Sequence, residues 1–396
     1  MKFGLFLELQ IPRPWGPDSE HQLFKEALEQ VSLADRLGLD YAWATEHHFL
    51  EEYAHSSAPE VFLAACSQRT RDIRLGHGII QSGPWINHPA RVAERVATLD
   101  LVSDGRCEFG TGEGATDTEL GGFNVPQAEK RAQWLEGLSV VTRMLVEEPF
   151  AGHEGQYLKM PSRNVVPKPL QKPHPPLWLA CSRRETILLA AQLGLGALTF
   201  AFTTPEESRQ WVHDYHATVA AECTPVGYAV NPQIAVTCPF MCLHDEAQAR
   251  ALSKENHGFF IYGLGHYTYF GEHRPGKTDI WHNYHTNPGD LARIPTADRK
   301  TCVGTPEQVR AQLRDFEQSG VDQVILLMQA GRMPHAVMCE SLELFGRTVM
   351  PEFKERDRRQ APQMAERAER ISAQALKRKP PVPPAPPTVI RAAGHH

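Results

Sequence analysis

Short apolar runs alternate with stretches of helical spacing eight times along this 396-residue chain, and few architectures tolerate such a rhythm. The apolar runs fall at residues 2–9, 41–45, 73–80, 107–111, 176–180, 196–202, 233–242 and 321–330. Between them, residues 20–37, 59–67, 89–102, 127–147, 186–193 and 205–221 carry helical patterns, with further helices from about 245 and over 334–350. In the first of these, Leu23, Phe24, Ala27, Leu28, Val31 and Ala34 recur at helical spacing, and Gly38 follows where a helix end favours a left-handed residue. A strand returning parallel to its predecessor needs a crossover, usually a helix. Eight strand–helix units therefore predict a closed (β/α)8 TIM barrel, with an open doubly wound sheet as the alternative reading of the same pattern.

Two segments break the rhythm. Residues 256–300 make a long connection between the seventh and eighth units, rich in Tyr262, His266, Tyr267, Tyr269, Phe270, Trp281, His282, Tyr284 and His285. Its length points to function and its aromatic content argues against disorder, so the expectation is an active-site lid, or else a satellite subdomain packed on the barrel. The barrel is expected over 1–353. Beyond it, residues 354–396 form a tail: a charged stretch capable of helix, then a proline run at 380–387 that cannot hold one.

Composition excludes several function classes. Lys+Arg number 41 against 47 Asp+Glu, a net charge of −6, so no global basic field attracts nucleic acid. With 41% hydrophobic and 22% charged residues, the chain is neither disordered throughout nor a multispanning membrane protein. The first nine residues carry one positive charge and an apolar run cut by Glu8, which is not the pattern of a secretory leader. Eight cysteines without a repeated Cys-x-x-Cys pair suggest reduced thiols and a cytoplasmic protein. No metal is expected, because the lid histidines lack tetrahedral spacing with Cys or carboxylates; His282 and His285 read as polar lid contacts.

In such a barrel the functional groups belong at the C-terminal ends of strands. The second run ends in Ala44-Thr45-Glu46-His47-His48-Phe49, and the third in Gly76-His77-Gly78. The fourth leads into Phe109-Gly110-Thr111-Gly112-Glu113-Gly114, and the fifth into Ala180-Cys181-Ser182-Arg183-Arg184. Each motif is weak alone. The glycines after the fourth strand lack the spacing and acidic partner of a dinucleotide fingerprint.

Taken in order, these stretches resemble the bacterial luciferase-like flavin-dependent monooxygenases. The resemblance spans residues 1–353 and rests on Met1-Lys2-Phe3-Gly4, Glu46-His47-His48-Phe49, and His88-Pro89 through Leu99-Asp100 to Gly105-Arg106 and Phe109-Gly110. Val303-Gly304-Thr305-Pro306-Glu307 and Val349-Met350-Pro351 extend it. It implies a barrel that takes reduced FMN from a separate flavin reductase, adds O2 at the flavin C4a carbon to form a hydroperoxide, and oxygenates a small or medium organic substrate. The lid suggests an aromatic one. A homodimer is also implied.

The resemblance places the catalytic histidine at His47, whose ordinary pKa near 6.5 would let it exchange a proton at neutral pH. His48 is its partner, an outer support or packing. Arg131, eight positions beyond Phe123, and Ser182 fall on phosphate contacts, although Arg131 also reads as an exposed helix charge. Gly112 and Glu113 replace a cysteine and a phosphate-binding arginine, so Arg183 or Arg184 would supply the missing charge and Glu113 would turn to flavin or substrate. Gly78 would let the backbone approach the flavin ring, and His77 is either a cofactor contact or structural. The alternatives in function are a hydride-transfer enzyme using the deazaflavin coenzyme F420 on the same fold, or a non-catalytic flavin-binding protein.

Overall fold

The computed structural model describes residues 1–200, 205–295, 300–381 and 384–390. Eight parallel strands close into a ring: β1 (Lys2–Leu7), β2 (Tyr41–Ala44), β3 (Arg74–His77), β4 (Cys107–Gly112), β5 (Leu177–Cys181), β6 (Gly196–Phe200), β7 (Ile234–Cys242) and β8 (Gln323–Leu327). Each pairs with the next, β7 pairs with β8, and β8 returns to β1 with Gly4 opposite Ile325. This is the closed barrel rather than the open sheet.

The helices wrap the outside: α1 (Ser19–Leu37), α2 (Pro59–Ser67), α3 (Pro89–Val102), α4 (Lys130–Val146), α5 (Arg184–Leu193), α6 (Pro205–Glu222), α7 (Glu246–Gly265), α8 (Pro306–Gln318) and α9 (His335–Thr348). Gly38 ends α1 in the left-handed region at φ 89°. The inward faces of the helices and the outward faces of the strands share one large core.

A second core fills the barrel interior with Phe6, Tyr41, Trp43, Trp178, Leu198, Ala235, Ile325 and Leu327. Trp43 and Trp178 meet edge to face at 5.3 Å, and glycines make room for them. A Cβ at Gly76 would lie 2.2 Å from the Trp43 ring, and one at Gly196 would lie 2.4 Å from the Trp178 ring. The Trp178 indole N–H donates to the buried Glu108 carboxylate at 2.6 Å, and Arg74 pairs with the same group.

Several elements differ from expectation for local reasons. The third run, expected over 73–80, divides into β3 and a two-residue strand, Ile80–Gln81, because the chain steps across β4 where Gly110 has no room for a side chain beneath the His77 carbonyl. A short helix, Asp117–Gly122, precedes α4. Residues 201–202 of the sixth run lie outside the described residues.

In the connection expected over 256–300, the first ten residues belong instead to α7, which continues to Gly265, followed by a π-helical turn at His266–Phe270, a helix at Ile280–Thr286 and a 3-10 turn at Pro288–Arg293. Residues 296–299 lie outside the described residues. At the other end of the chain, α10 (Met350–Leu376) runs unbroken across the boundary expected at 353. Its Phe353 packs on Phe3 at 5.8 Å, a burial contributing about 2 kcal/mol, and Asp357 binds Lys2. Beyond the helix, Lys379 donates to the Pro225 and Val226 carbonyls and lies over the Tyr228 ring. Among the described residues no helix is long and apolar enough to cross a membrane.

Gly76→Ala tests the interior packing. Neither ring nor strand can yield 1 Å cheaply, and overpacking of this kind costs about 1–3 kcal/mol. The expected result is a lower thermal midpoint with altered tryptophan fluorescence, and an unchanged midpoint would contradict the packing described.

Candidate active site

Strand alternation decides which side chains reach the C-terminal mouth. Phe6 points into the barrel, so Glu8, two residues on, points inward as well, just past the end of β1. The loop after β2 brings His47 beside it. His47 Nε2 lies 3.2 Å from Glu8 Oε1 and Nδ1 lies 2.9 Å from Glu119 Oε1, so the ring bridges two carboxylates with 20% of its side chain exposed. Tyr53 meets the His47 ring at 5.6 Å and continues to Phe260 at 5.3 Å.

Glu119 comes from the short helix before α4. Thr116 caps that helix, accepting from the Glu119 N–H and donating to Glu119 Oε2 at 2.8 Å. The Gln81 amide donates to Glu119 Oε1 at 2.7 Å and the His48 N–H at 3.1 Å. Burial alone would push this carboxyl up, but His47 and the other donors hold it at about 2. Burial likewise opposes charge on His47, and the two carboxylates overcome it, raising the ring to about 9. Glu8 is pushed by burial to about 7, with His47 and the Thr45 hydroxyl pulling the other way.

At neutral pH the ring is therefore an imidazolium donating from both nitrogens, and Glu8 is the member of the trio that titrates. The sequence expectation was a ring titrating near its ordinary value; two carboxylates on one imidazole move it away from there.

His48 faces elsewhere. Its Nε2 lies 2.9 Å from Glu46, whose carboxylate also accepts from Asn87 at 2.7 Å, and Asn87 accepts in turn from Arg95 on α3. The His48 ring packs edge-on against Phe123, beside Phe49. Phe49 is 54% exposed in a left-handed backbone conformation, and its ring occupies the space a side chain at Gly122 would need.

The remaining expected residues separate into four groups. Gly78 and Gly112 line the inside of the mouth: a Cβ at Gly112 would press on Ile79 at 2.7 Å and stand 3.9 Å from Ala180, while one at Gly78 would touch Trp43. His77 turns outward, fully buried against Phe109 in the helix-facing layer, so its ring does not reach the mouth. Glu113 and Arg131 bind each other through two hydrogen bonds, at 3.0 and 3.2 Å. Ser182 and Arg183 stand exposed where α5 begins, whereas Arg184 pairs with Asp214. Among the described residues no cluster of three or more His, Cys, Asp or Glu is placed to hold a metal ion.

Sequence reasoning missed Glu8, Glu119, Gln81 and Tyr53. Glu8 left a signal, a carboxylate breaking an apolar run at a strand end. Glu119 left only Thr116 three residues ahead of it, a helix-start pattern too short to stand out.

The model for luciferase-like monooxygenases matches residues 1–323, and the chain belongs to that family. The oxygenase component of flavin-dependent trigonelline monooxygenase from Acinetobacter baylyi is 27% identical over 381 residues, covering 91% of this chain and 98% of that protein. A monooxygenase of Streptomyces bottropensis superposes with a TM-score of 0.73 at 28% identity, over 89% of this chain and all of the other. The coenzyme F420-dependent tetrahydromethanopterin reductase of Methanopyrus kandleri shares the fold, with a TM-score of 0.64 at 20% identity over 89% of this chain and 99% of that one.

The charge arrangement is testable without substrate. In Glu119→Gln, His47 should titrate well below its wild-type value of about 9, read from the imidazole proton shift by NMR. A ring raised above its unfolded value contributes stability that is complete below about 6.5 and lost as pH rises through about 9. The wild-type thermal midpoint should accordingly fall relative to Glu119→Gln across that window. Parallel curves would contradict the assignment.

Proposed function

We propose that the chain is the oxygenase component of a two-component monooxygenase, taking reduced FMN from a separate flavin reductase and using O2 to oxygenate a small or medium organic molecule. The observation carrying this reading is the His47 imidazolium fixed between Glu8 and Glu119 at the barrel mouth. Reduced FMN, when bound, supplies the electrons that divide dioxygen between substrate and water. The proton this site can offer to oxygen as negative charge grows there is the His47 Nε2–H now shared with Glu8, while Nδ1–H stays on Glu119, and Glu8, at about 7, takes up and returns a proton in its place. Tyr53 and Phe260 give this end of the site an apolar wall that keeps water from the reacting atoms.

The residues present fit a flat, phosphorylated cofactor. Ala180 stands exposed beside Gly112, whose own face Ile79 covers, and the buried Oε1 of Gln81 has no protein partner and can accept a hydrogen bond there. Ser182, Arg183 and the first N–H groups of α5 suit the phosphate. We assign the phosphate to them rather than to Arg131, whose guanidinium already binds Glu113, and His77 contributes only its main chain.

Supplied with reduced FMN, 18O2 and a substrate panel weighted to aromatics, the protein should yield product carrying one 18O atom. His47→Asn should lower that yield by about 10²–10⁴-fold while FMN binding persists. Anaerobic turnover with reduced coenzyme F420 would replace this reading by hydride transfer, which the shared fold and a proton-donating His47 also suit. FMN binding with no oxygen consumption would leave a carrier.

The assembly we propose is a cytoplasmic homodimer. The eight cysteines are free, and α2 and α3 expose Val61, Leu101 and Val102. Sedimentation at twice the chain mass, from a cytosolic fraction, is the expected result, and a monomer at micromolar concentration would contradict it.

A further inference from the structure

Three and four residues beyond His48, the loop after β2 presents two carboxylates in succession, and both point away from the catalytic trio. Glu52 is 0% exposed and holds a left-handed backbone at φ 58°, which glutamate adopts only when its surroundings require it. Its oxygens accept three backbone N–H groups: Arg13 at 2.8 Å, Ile280 at 2.6 Å and Trp281 at 3.1 Å. Glu51 accepts from the Gly276 N–H at 2.7 Å and pairs with the Arg13 guanidinium, with His273 Nε2 3.5 Å away. The Glu51 carbonyl accepts from the Tyr267 hydroxyl at 2.9 Å.

These bonds join three separate pieces of chain: the loop after β1 at Arg13, the loop after β2, and residues 267–281 of the inserted segment. The next residue, Tyr53, touches both His47 and Phe260 on α7. A carboxylate stripped of water is costly unless its lone pairs are filled, and three inward N–H donors fill those of Glu52. No neutral side chain of the same shape can do this. Glutamine would present N–H to N–H on one side and leave a donor stranded.

We propose that Glu52 is a positioning residue: its buried carboxylate clamps the inserted segment at Ile280 and Trp281 onto the loop that carries His47, holding that segment as a lid over the mouth. The lid's fastening is a property of the folded chain. Its effect on oxygen transfer rests on the monooxygenase reading above.

Hydrogen exchange of the free protein tests the clamp without flavin or substrate. In Glu52→Gln, the amides of peptides spanning 276–286 should exchange about tenfold faster, the effect of losing one charge-assisted hydrogen bond, while barrel-strand peptides stay protected. Glu52→Asp keeps the charge and should restore part of the protection. Tyr267→Phe removes a single hydroxyl with no change in packing volume, so it keeps the test open should Glu52→Gln fold poorly; it should speed exchange several-fold over 264–276. Under turnover with reduced FMN and O2, Glu52→Gln should yield less product and more hydrogen peroxide per flavin oxidised, with Glu52→Asp intermediate.

Unchanged exchange over 276–286 in folded Glu52→Gln overturns the clamp, as does faster exchange spread evenly over the barrel. Should that variant not fold, unchanged exchange in Tyr267→Phe overturns the fastening of the segment to this loop. Wild-type protein that incorporates no 18O while the exchange pattern holds would instead overturn the monooxygenase reading and leave the clamp standing.

Discussion

One imidazole gripped by two carboxylates is the interaction on which the rest of the mouth depends. Each of the three groups is unfavourable alone where the chain puts it: Glu8 and Glu119 are buried, and His47 is mostly so. Together they offset one another's loss of water, and burial, which His47 only partly offsets, holds Glu8 well above the usual carboxylate range. The arrangement draws on three separate regions, the end of β1, the loop after β2 and the short helix before α4. It therefore exists only when the barrel is closed and Thr116 and Gln81 hold Glu119 in place.

Below that trio the barrel is packed for rigidity. Large indoles face glycines across neighbouring strands, so shape is fixed by ring against backbone rather than by flexible side chains. Above it the wall changes character: Ile79 packs over Gly112, and Ala180 stands exposed, where Trp43 and Trp178 fill the barrel lower down. Small residues thus serve at two depths, admitting an indole low in the barrel and the Ile79 side chain nearer the mouth.

The eight-unit architecture was legible because periodicity of 2 and 3.6 is a property of the local chain, and Gly38 and Pro89 mark helix ends by backbone geometry alone. His47 was legible through its motif. What escaped depended on contacts distant in sequence. Glu119 is 72 positions from the ring it pairs with, on a helix of six residues with no apolar stripe to announce it. Glu8 was visible but read only as an interruption. Arg131 and Glu113 were each given a ligand to face, whereas 18 residues apart in the chain they face each other. The direction of His77 turns on strand register, which a motif does not encode.

The edge-to-face contact of Trp43 and Trp178, both fully buried, gives the chamber at the barrel mouth a packed floor. A molecule reacting at His47 cannot sink past those rings into the strands. That pair of indoles sets the depth of the chamber, so a wider guest has to spread sideways among the loops rather than sink further.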